Sequence, residues 1–317
     1  MSQATTPECL SLVLHHYEGS PFSEKIRLIL GYKGLDWYSV HIPEIMPKPD
    51  VVALTGGYRK TPVLQVGADV YCDTRRIVDL LEQRRPAPSL FPAGEAGTAS
   101  MLSQWADTTL FWAAIPYTLQ PAGIAYALKG LSPEAMKAFA VDRASFTAGM
   151  LRPSLGDLAA QLKSYLNWLE AHLAGSGDFM AGGQPSVADF SVAQSIWFIL
   201  RVPPVAGVLD GHPKLLAWYE RVAAFGHGRM QPLGSGAAVA LALSSGGRYA
   251  ETAVAPGQGL EAGTQVTVTP TDYGRDPVPG MLVGLDDSEV VLAREDARAG
   301  RVHVHFPRIG FALKPVA

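Results

Sequence analysis

The spacing of apolar residues changes twice along this chain, and that change most restricts how it can fold. From residue 12 to 85 strand and helix patterns alternate. LVLHHY is a strand, SEKIRLILGYKGL an amphipathic helix with Ile26, Ile29 and Leu30 on one face, and WYSVHI at 37–42 a second strand. The proline-punctuated stretch PEIMPKPDVVALTGGYRK allows one helical turn at 50–54. TPVLQV and ADVYCD follow as two strands around a Gly67-Ala68-Asp69 turn, and TRRIVDLLEQRR is a helix stopped by Pro86. This order predicts an α/β unit on a small mixed sheet. Residues 86–97, rich in Pro, Gly and Ala, read as a linker.

From 98 to about 228 strand signals vanish, and helices are predicted at 98–115, 133–149, 155–174, 187–200 and 213–225. Leu158, Leu162, Tyr165, Leu166 and Leu169 give the third a buried face. Ser186-Val-Ala-Asp189, a relative of the capping box, starts the fourth. Residues 234–246 suit one more helix and 250–262 a flexible connection. Alternation then returns in GTQVTVTP, MLVGLD, SEVVLARED and RVHVHFP, enough for a small barrel or a compact antiparallel sheet. The expected units are 1–86, 98–230 and a β-rich, barrel-like module at 260–317, with a loose tail at 1–10.

With 48% hydrophobic and 17% charged residues, the 317-residue chain suits a globular protein rather than a disordered one. A net charge of −3 without a long basic run gives nucleic-acid binding no support. MSQATTPE lacks the features of a signal peptide, and AAVALALSS at 237–245 is far too short to span a bilayer, so no membrane role is expected. Two cysteines, Cys9 and Cys72, form neither a disulfide framework nor a CxxC pair, which makes a reducing cytoplasm the default.

Three places can carry chemistry. Ser20 precedes Pro21 and falls at a helix N-cap, where a hydroxyl, free N–H groups and the helix dipole favour an anion such as a thiolate. Capping alone is the simpler role. A serine nucleophile needs a partnered base, and His15 and His16 point to opposite faces of a strand, so donation to an external thiolate asks for less. Thr61-Pro62 opens a strand, and a cis bond there exposes Thr61's backbone to a peptide-like ligand, whereas a trans bond is the ordinary case. Asp73-Thr74 either caps the next helix or binds the carboxylate and ammonium of an amino acid. His303 and His305 share a strand face, but no evident third ligand completes a metal site. Cys72 suits a buried strand thiol better than a reactive one. Of the aromatics Trp105, Phe111, Trp112 and Tyr117, most belong in a core and a few can line an apolar pocket.

Together SPFSEKIRLIL, KTPVLQ and CDTRRI, followed by SVADFSVAQ and HPKLLAWYERVAAF, resemble the glutathione S-transferase superfamily over roughly residues 11–228. The resemblance implies a thioredoxin-like N-terminal domain, an all-helical domain and a homodimer, and says nothing of the chain after 230. It implies Ser20 as the catalytic residue of a Ser-type site, and Pro62 as the cis proline. Thr61 would pair with the cysteinyl unit of glutathione, and Asp73 and Thr74 would hold the γ-glutamyl end. For the glycyl carboxylate Arg59, Lys60 and Lys48 are all near, and Lys60 adjoins Thr61. Asp-Thr departs from the usual Glu or Gln followed by Ser, and the family's tyrosine position aligns with His16 rather than Tyr17. The implied activity is transfer of the glutathione thiol, as co-substrate, to a small apolar electrophile facing Trp112 and Tyr117; isomerase or peroxidase work also fits. A non-catalytic protein that binds glutathione or an apolar ligand, with the β module recruiting a partner, is the alternative. The module can also be purely structural.

Overall fold

The computed structural model describes residues 10–151, 153–175 and 177–316; the tail at 1–9, with Cys9, lies outside them. Strand β1 (Val13–His16), helix α1 (Pro21–Tyr32), β2 (Asp36–His41), α2 (Pro49–Thr55), β3 (Val63–Val66), β4 (Asp69–Cys72) and α3 (Thr74–Arg84) follow the order read from the sequence. β1 runs parallel to β2 and antiparallel to β3, which is antiparallel to β4. His15 faces Val63 and Val63 faces Cys72, so the end of β1, the start of β3 and the end of β4 meet at one end of the sheet. Ser20, Thr61 and Asp73 lie just beyond those strand ends.

In the helical region α4 (Ala96–Trp105) passes through a π-helical turn at Ala106–Leu110 into α5 (Phe111–Thr118). Then come α6 (Pro121–Ala127), α7 (Pro133–Phe146), α8 (Leu155–Leu173), α9 (Val187–Leu200), the short α10 (Pro203–Ala206) and α11 (Pro213–Ala223). α6 and α10 were not evident in the sequence; each starts at a proline and is only two turns or fewer. α9 is buried against α1, α4 and α5. Its N-terminus carries the capping box, where Asp189 accepts from Ser186 N, Met180 N and Trp218 Nε1, each at 2.8 Å. One carboxylate therefore joins a helix start, the preceding loop and α11.

Beyond the helices, β5 (Arg229–Pro232) pairs in parallel with β2, and α12 (Ser235–Ser244) packs near α2 and the sheet. β6 (Gln265–Pro270), β7 (Val278–Leu285), β8 (Glu289–Asp296), β9 (Gly300–Pro307) and β10 (Phe311–Pro315) complete the chain. The expected β-rich module beyond residue 260 is present, as an antiparallel sheet rather than a closed barrel. The ladder stays open and joins the first domain: β9 pairs in parallel with β4, giving one ten-stranded sheet ordered β10-β6-β7-β8-β9-β4-β3-β1-β2-β5. The reason lies in β4, whose outer edge would otherwise carry unpaired backbone groups among buried side chains.

Side chains alternate between the sheet's two faces. Leu14, Leu64 and Tyr71 join the core made with α1, α3 and the helical domain. Val13, Val63, Val70 and Cys72 join a second core with α2, α12 and the valines of β6–β9. Polar groups close the seam between β4 and β9. His305 lies 3.1 Å from both Asp69 Oδ1 and Glu289 Oε2, and Arg76 Nε donates to Glu289 at 2.6 Å. Burial opposes charge on His305, but its two carboxylate partners prevail and raise its pKa. Its neighbour His303 stacks on Tyr249 at 3.8 Å, has no polar partner, and burial lowers its pKa to about 4. Among the described residues no cluster suits a metal ion, and no single helix is long and apolar enough to cross a membrane.

Candidate functional site

Ser20 is the N-cap of α1, with extended φ and ψ of −81° and 120°, because Pro21 takes the first helical position. Its Oγ accepts from Ser23 N at 3.2 Å, and as a donor toward Tyr17 its hydroxyl acts to lower the Tyr17 pKa. Ser20 is 2% exposed, yet it lines a cavity of about 760 Å³ between the first domain and α5, α7 and α8. Burial raises the pKa of Tyr17, more than nearby Arg143 lowers it. His16 points away from this cavity. It is bonded to Ser39 at 2.8 Å and Arg27 at 3.1 Å, and burial holds its pKa down to about 3. The hydroxyl group beside Ser20 thus comes from Tyr17, whose role the sequence did not reveal.

Thr61 and Lys60 also line the cavity, and the Thr61–Pro62 peptide bond is cis. The three cations near this segment differ. Lys60 Nζ is 2.5 Å from Asp272 and sits 4.0 Å from the centre of the Tyr273 ring. Arg59 donates to Asp142 at 2.8 Å and lies 3.7 Å from Asp276. Lys48 forms no salt bridge among the described residues; its Nζ donates to Thr61 Oγ1 at 3.2 Å and lies 5.6 Å from the Tyr17 ring centre. Burial, then the positive charge of Arg143, lowers the Lys48 pKa to about 8. Lys48 is therefore the cation best placed to receive a carboxylate.

Asp73 and Thr74 stand at the start of α3, near the cavity but not in its lining. Asp73 caps α3 by accepting from Arg75 N at 2.9 Å and holds φ at 74°. That conformation is rare outside glycine and costs roughly 1–3 kcal/mol, which the cap helps to offset. Thr74 Oγ1 accepts from Lys25 Nζ at 3.3 Å, and the same ammonium lies 2.6 Å from Asp107 on the π-helical turn. Burial raises the Asp107 pKa even against Lys25.

The apolar wall comes from α5 through Phe111, Trp112, Ile115 and Leu119, whose helical spacing gives them one face. Trp112 lines the cavity as expected. Tyr117 does not; it lies off that face and packs on the core. Cys72 is fully buried, and burial raises its pKa well above the usual thiol range, so it is not a reactive thiol. Two further lining groups had no signal in the sequence: Arg143 and Phe146 from α7, and Tyr273 from the loop between β6 and β7.

Family models describe residues 14–89 as "Glutathione S-transferase, N-terminal domain" and residues 138–221 as "Glutathione S-transferase, C-terminal domain". A GST-like protein from Pseudomonas syringae is 40% identical, with a TM-score of 0.79 over 97% of this chain and 100% of that one. The beta-etherase LigF from Sphingobium sp. strain SYK-6 is 19% identical, with a TM-score of 0.52 over 68% of this chain and 95% of its own. Glutathione S-transferase-I bound with lactoylglutathione is 20% identical, with a TM-score of 0.51 over 68% and 99%. These last two share the fold over about two-thirds of the chain, whereas the Pseudomonas protein matches nearly all of it. No curated protein matches the sequence significantly.

Proposed function

The chain belongs to the glutathione S-transferase family, and we propose that it binds glutathione as co-substrate beside Ser20 and activates the thiol toward a small apolar electrophile. The observation that carries this reading is the Ser20 hydroxyl at the N-terminus of α1, inside a cavity that also holds Lys48, which forms no salt bridge among the described residues. Ser20 Oγ accepts from Ser23 N, and its one proton is the donor in the contact with Tyr17. A bound sulfur accepts that hydrogen bond in place of Tyr17. A hydrogen bond to the thiolate, together with the helix dipole, favours ionisation. The thiolate forms a C–S bond to an electrophilic carbon held against Trp112, Ile115 and Leu119, and the leaving group departs with the electron pair of the bond it breaks.

The rest of the tripeptide is assigned by charge. Lys48, rather than Lys60, takes the glycyl carboxylate, because Lys60 and Arg59 already face carboxylates. The Thr61 backbone meets the cysteinyl unit, with Pro62 behind it. Asp73 and Thr74 hold the γ-glutamyl end, helped by the start of α3. A reducing, cytoplasmic compartment supplies glutathione, and a homodimer, the family's usual assembly, is checked by light scattering.

Retention on a glutathione-affinity resin, followed by a panel of electrophiles, tests the reading. Binding with turnover of at least one electrophile is expected. Failure to bind glutathione overturns it, and binding without turnover of any electrophile leaves a ligand-binding protein instead of a transferase.

A further inference from the structure

The C-terminal strands reach the cavity through residues 271–277, which connect β6 to β7. This loop is clasped on two sides. Toward the first domain, Asp272 meets Lys60 and Asp276 meets Arg59. Toward the helical domain, Gly274 N donates to Phe146 O at 2.9 Å. Gly274 has φ of 56°, and a Cβ there would lie 2.6 Å from Phe146 Cε2, so only glycine allows this approach.

The clasp sets Tyr273 edge-on between Trp112 and Phe146, with ring centres 4.9 and 5.0 Å away. Tyr273 is 7% exposed and lines the cavity, yet no described residue hydrogen-bonds its hydroxyl. The hydroxyl is not sealed off from the cavity, so a ligand there can supply the partner that the protein does not. Tyr58 also lacks one, but it does not line the cavity, so no ligand can reach it there. Tyr273 shares the cavity lining with Ser20, Lys48 and Thr61, the residues assigned above to glutathione. Burial, with Asp272 next in effect, raises its pKa well above the usual phenol range, so it remains an O–H donor.

We propose that Tyr273 is a ligand-binding residue of this site, donating a hydrogen bond from its phenol to bound glutathione while the 271–277 loop holds it in place. This rests on the glutathione reading, and it makes the C-terminal strands part of the site rather than an appendage to it. It also singles out Tyr273→Phe as the informative change, since this keeps the ring packing and removes only the donor.

Calorimetric titration of the full chain and of Tyr273→Phe with reduced glutathione tests the proposal, with melting temperatures as the control for folding. Binding about tenfold weaker in the variant, at an unchanged melting temperature, is expected. Equal affinities overturn the role of Tyr273 and leave the glutathione reading standing; absence of binding to the unaltered chain overturns both. Should Tyr273→Phe fail to fold, hydrogen exchange in the unaltered chain decides. Slower exchange at 271–277 with glutathione supports the proposal, and unchanged exchange there overturns it.

Discussion

The two halves of the ten-stranded sheet are built on different terms. In β1–β4 the polar groups that matter sit beyond the strand ends, where strands give way to helices, and they face a cavity. In β6–β9 consecutive strands pair as antiparallel neighbours, β10 returns to the outer edge of β6, and the important polar groups face inward at the seam with β4. The first half uses helix N-termini to make a site. The second uses an ion cluster and a valine-rich face to attach itself, then contributes to that site through one loop.

Removing the second half breaks this comparison most severely. Without residues 260–317, Val13, Val63, Val70 and Cys72 lose their apolar cover, and β4 becomes an open edge. Loss of more than about 5 kcal/mol, seen as insolubility or collapse of the cooperative melt, is expected. A truncated chain that melts like the full one would make the strands a mere attachment. Next in size is Glu289→Ala, which leaves Arg76 and His305 buried without their shared carboxylate. A loss of about 3–5 kcal/mol is expected from chemical denaturation, and a loss below about 1 kcal/mol would show that the seam depends on apolar packing alone.

Acidity sharpens the contrast, because the second half adds a histidine, His305, that responds with the opposite sign. His15 and His16 have pKa values lowered, chiefly by burial, to about 4 and about 3, so the unfolded chain takes up protons first. Their contribution is whole above about pH 6.5 and falls below it, by about 2 kcal/mol each at pH 5. The raised His305 contributes fully below about pH 6.5, and its share is lost as pH rises through its folded value. For Glu289, burial pushes upward, but His305 and Arg76 hold the pKa at about 2, so its contribution is lost only in strong acid. Measured as protection relative to intrinsic exchange, β1 should therefore lose protection on going from pH 8 to 5, while at the β4–β9 seam the loss from His303, whose pKa burial lowers to about 4, is opposed by His305, so protection there falls less. The reverse pattern would contradict these protonation states.

A smaller effect concerns Lys48. With S-methylglutathione, whose sulfur does not titrate, affinity should decline as pH passes about 8 and the ammonium is lost. Lys48→Met should bind about tenfold more weakly, without that decline. A Lys48→Met variant with undiminished affinity would return the carboxylate to Lys60 or Arg59.

How much of this was legible depended on whether local chemistry decided the outcome. Ser20 with Pro21, the Gly67 turn and the Ser186–Asp189 box each act within a few residues, so their positions could be read directly. β5 could not, since RMQP becomes a strand only because β2 leaves an edge beside it. The union of β9 with β4 joins residues more than two hundred apart, and no local pattern encodes it. The same holds for His305, whose partner Asp69 looked like a turn residue. Tyr273 gave no signal in the sequence and became part of a site only through Gly274 and Phe146. Lys60 adjoins Thr61 in sequence, but Asp272 from this distant loop takes its charge.

The central claim is that the Ser20 hydroxyl and the start of α1 stabilise a bound thiolate. Titrating the thiolate absorbance of enzyme-bound glutathione, in the unaltered chain and in Ser20→Ala, tests it most directly. The bound thiol should ionise about one to two units below the ~8.5 of a free thiol and return most of the way in Ser20→Ala. That variant should lose only about 1 kcal/mol of stability with its cap. The same thiol pKa in both proteins would contradict the claim and leave Ser20 as a helix cap.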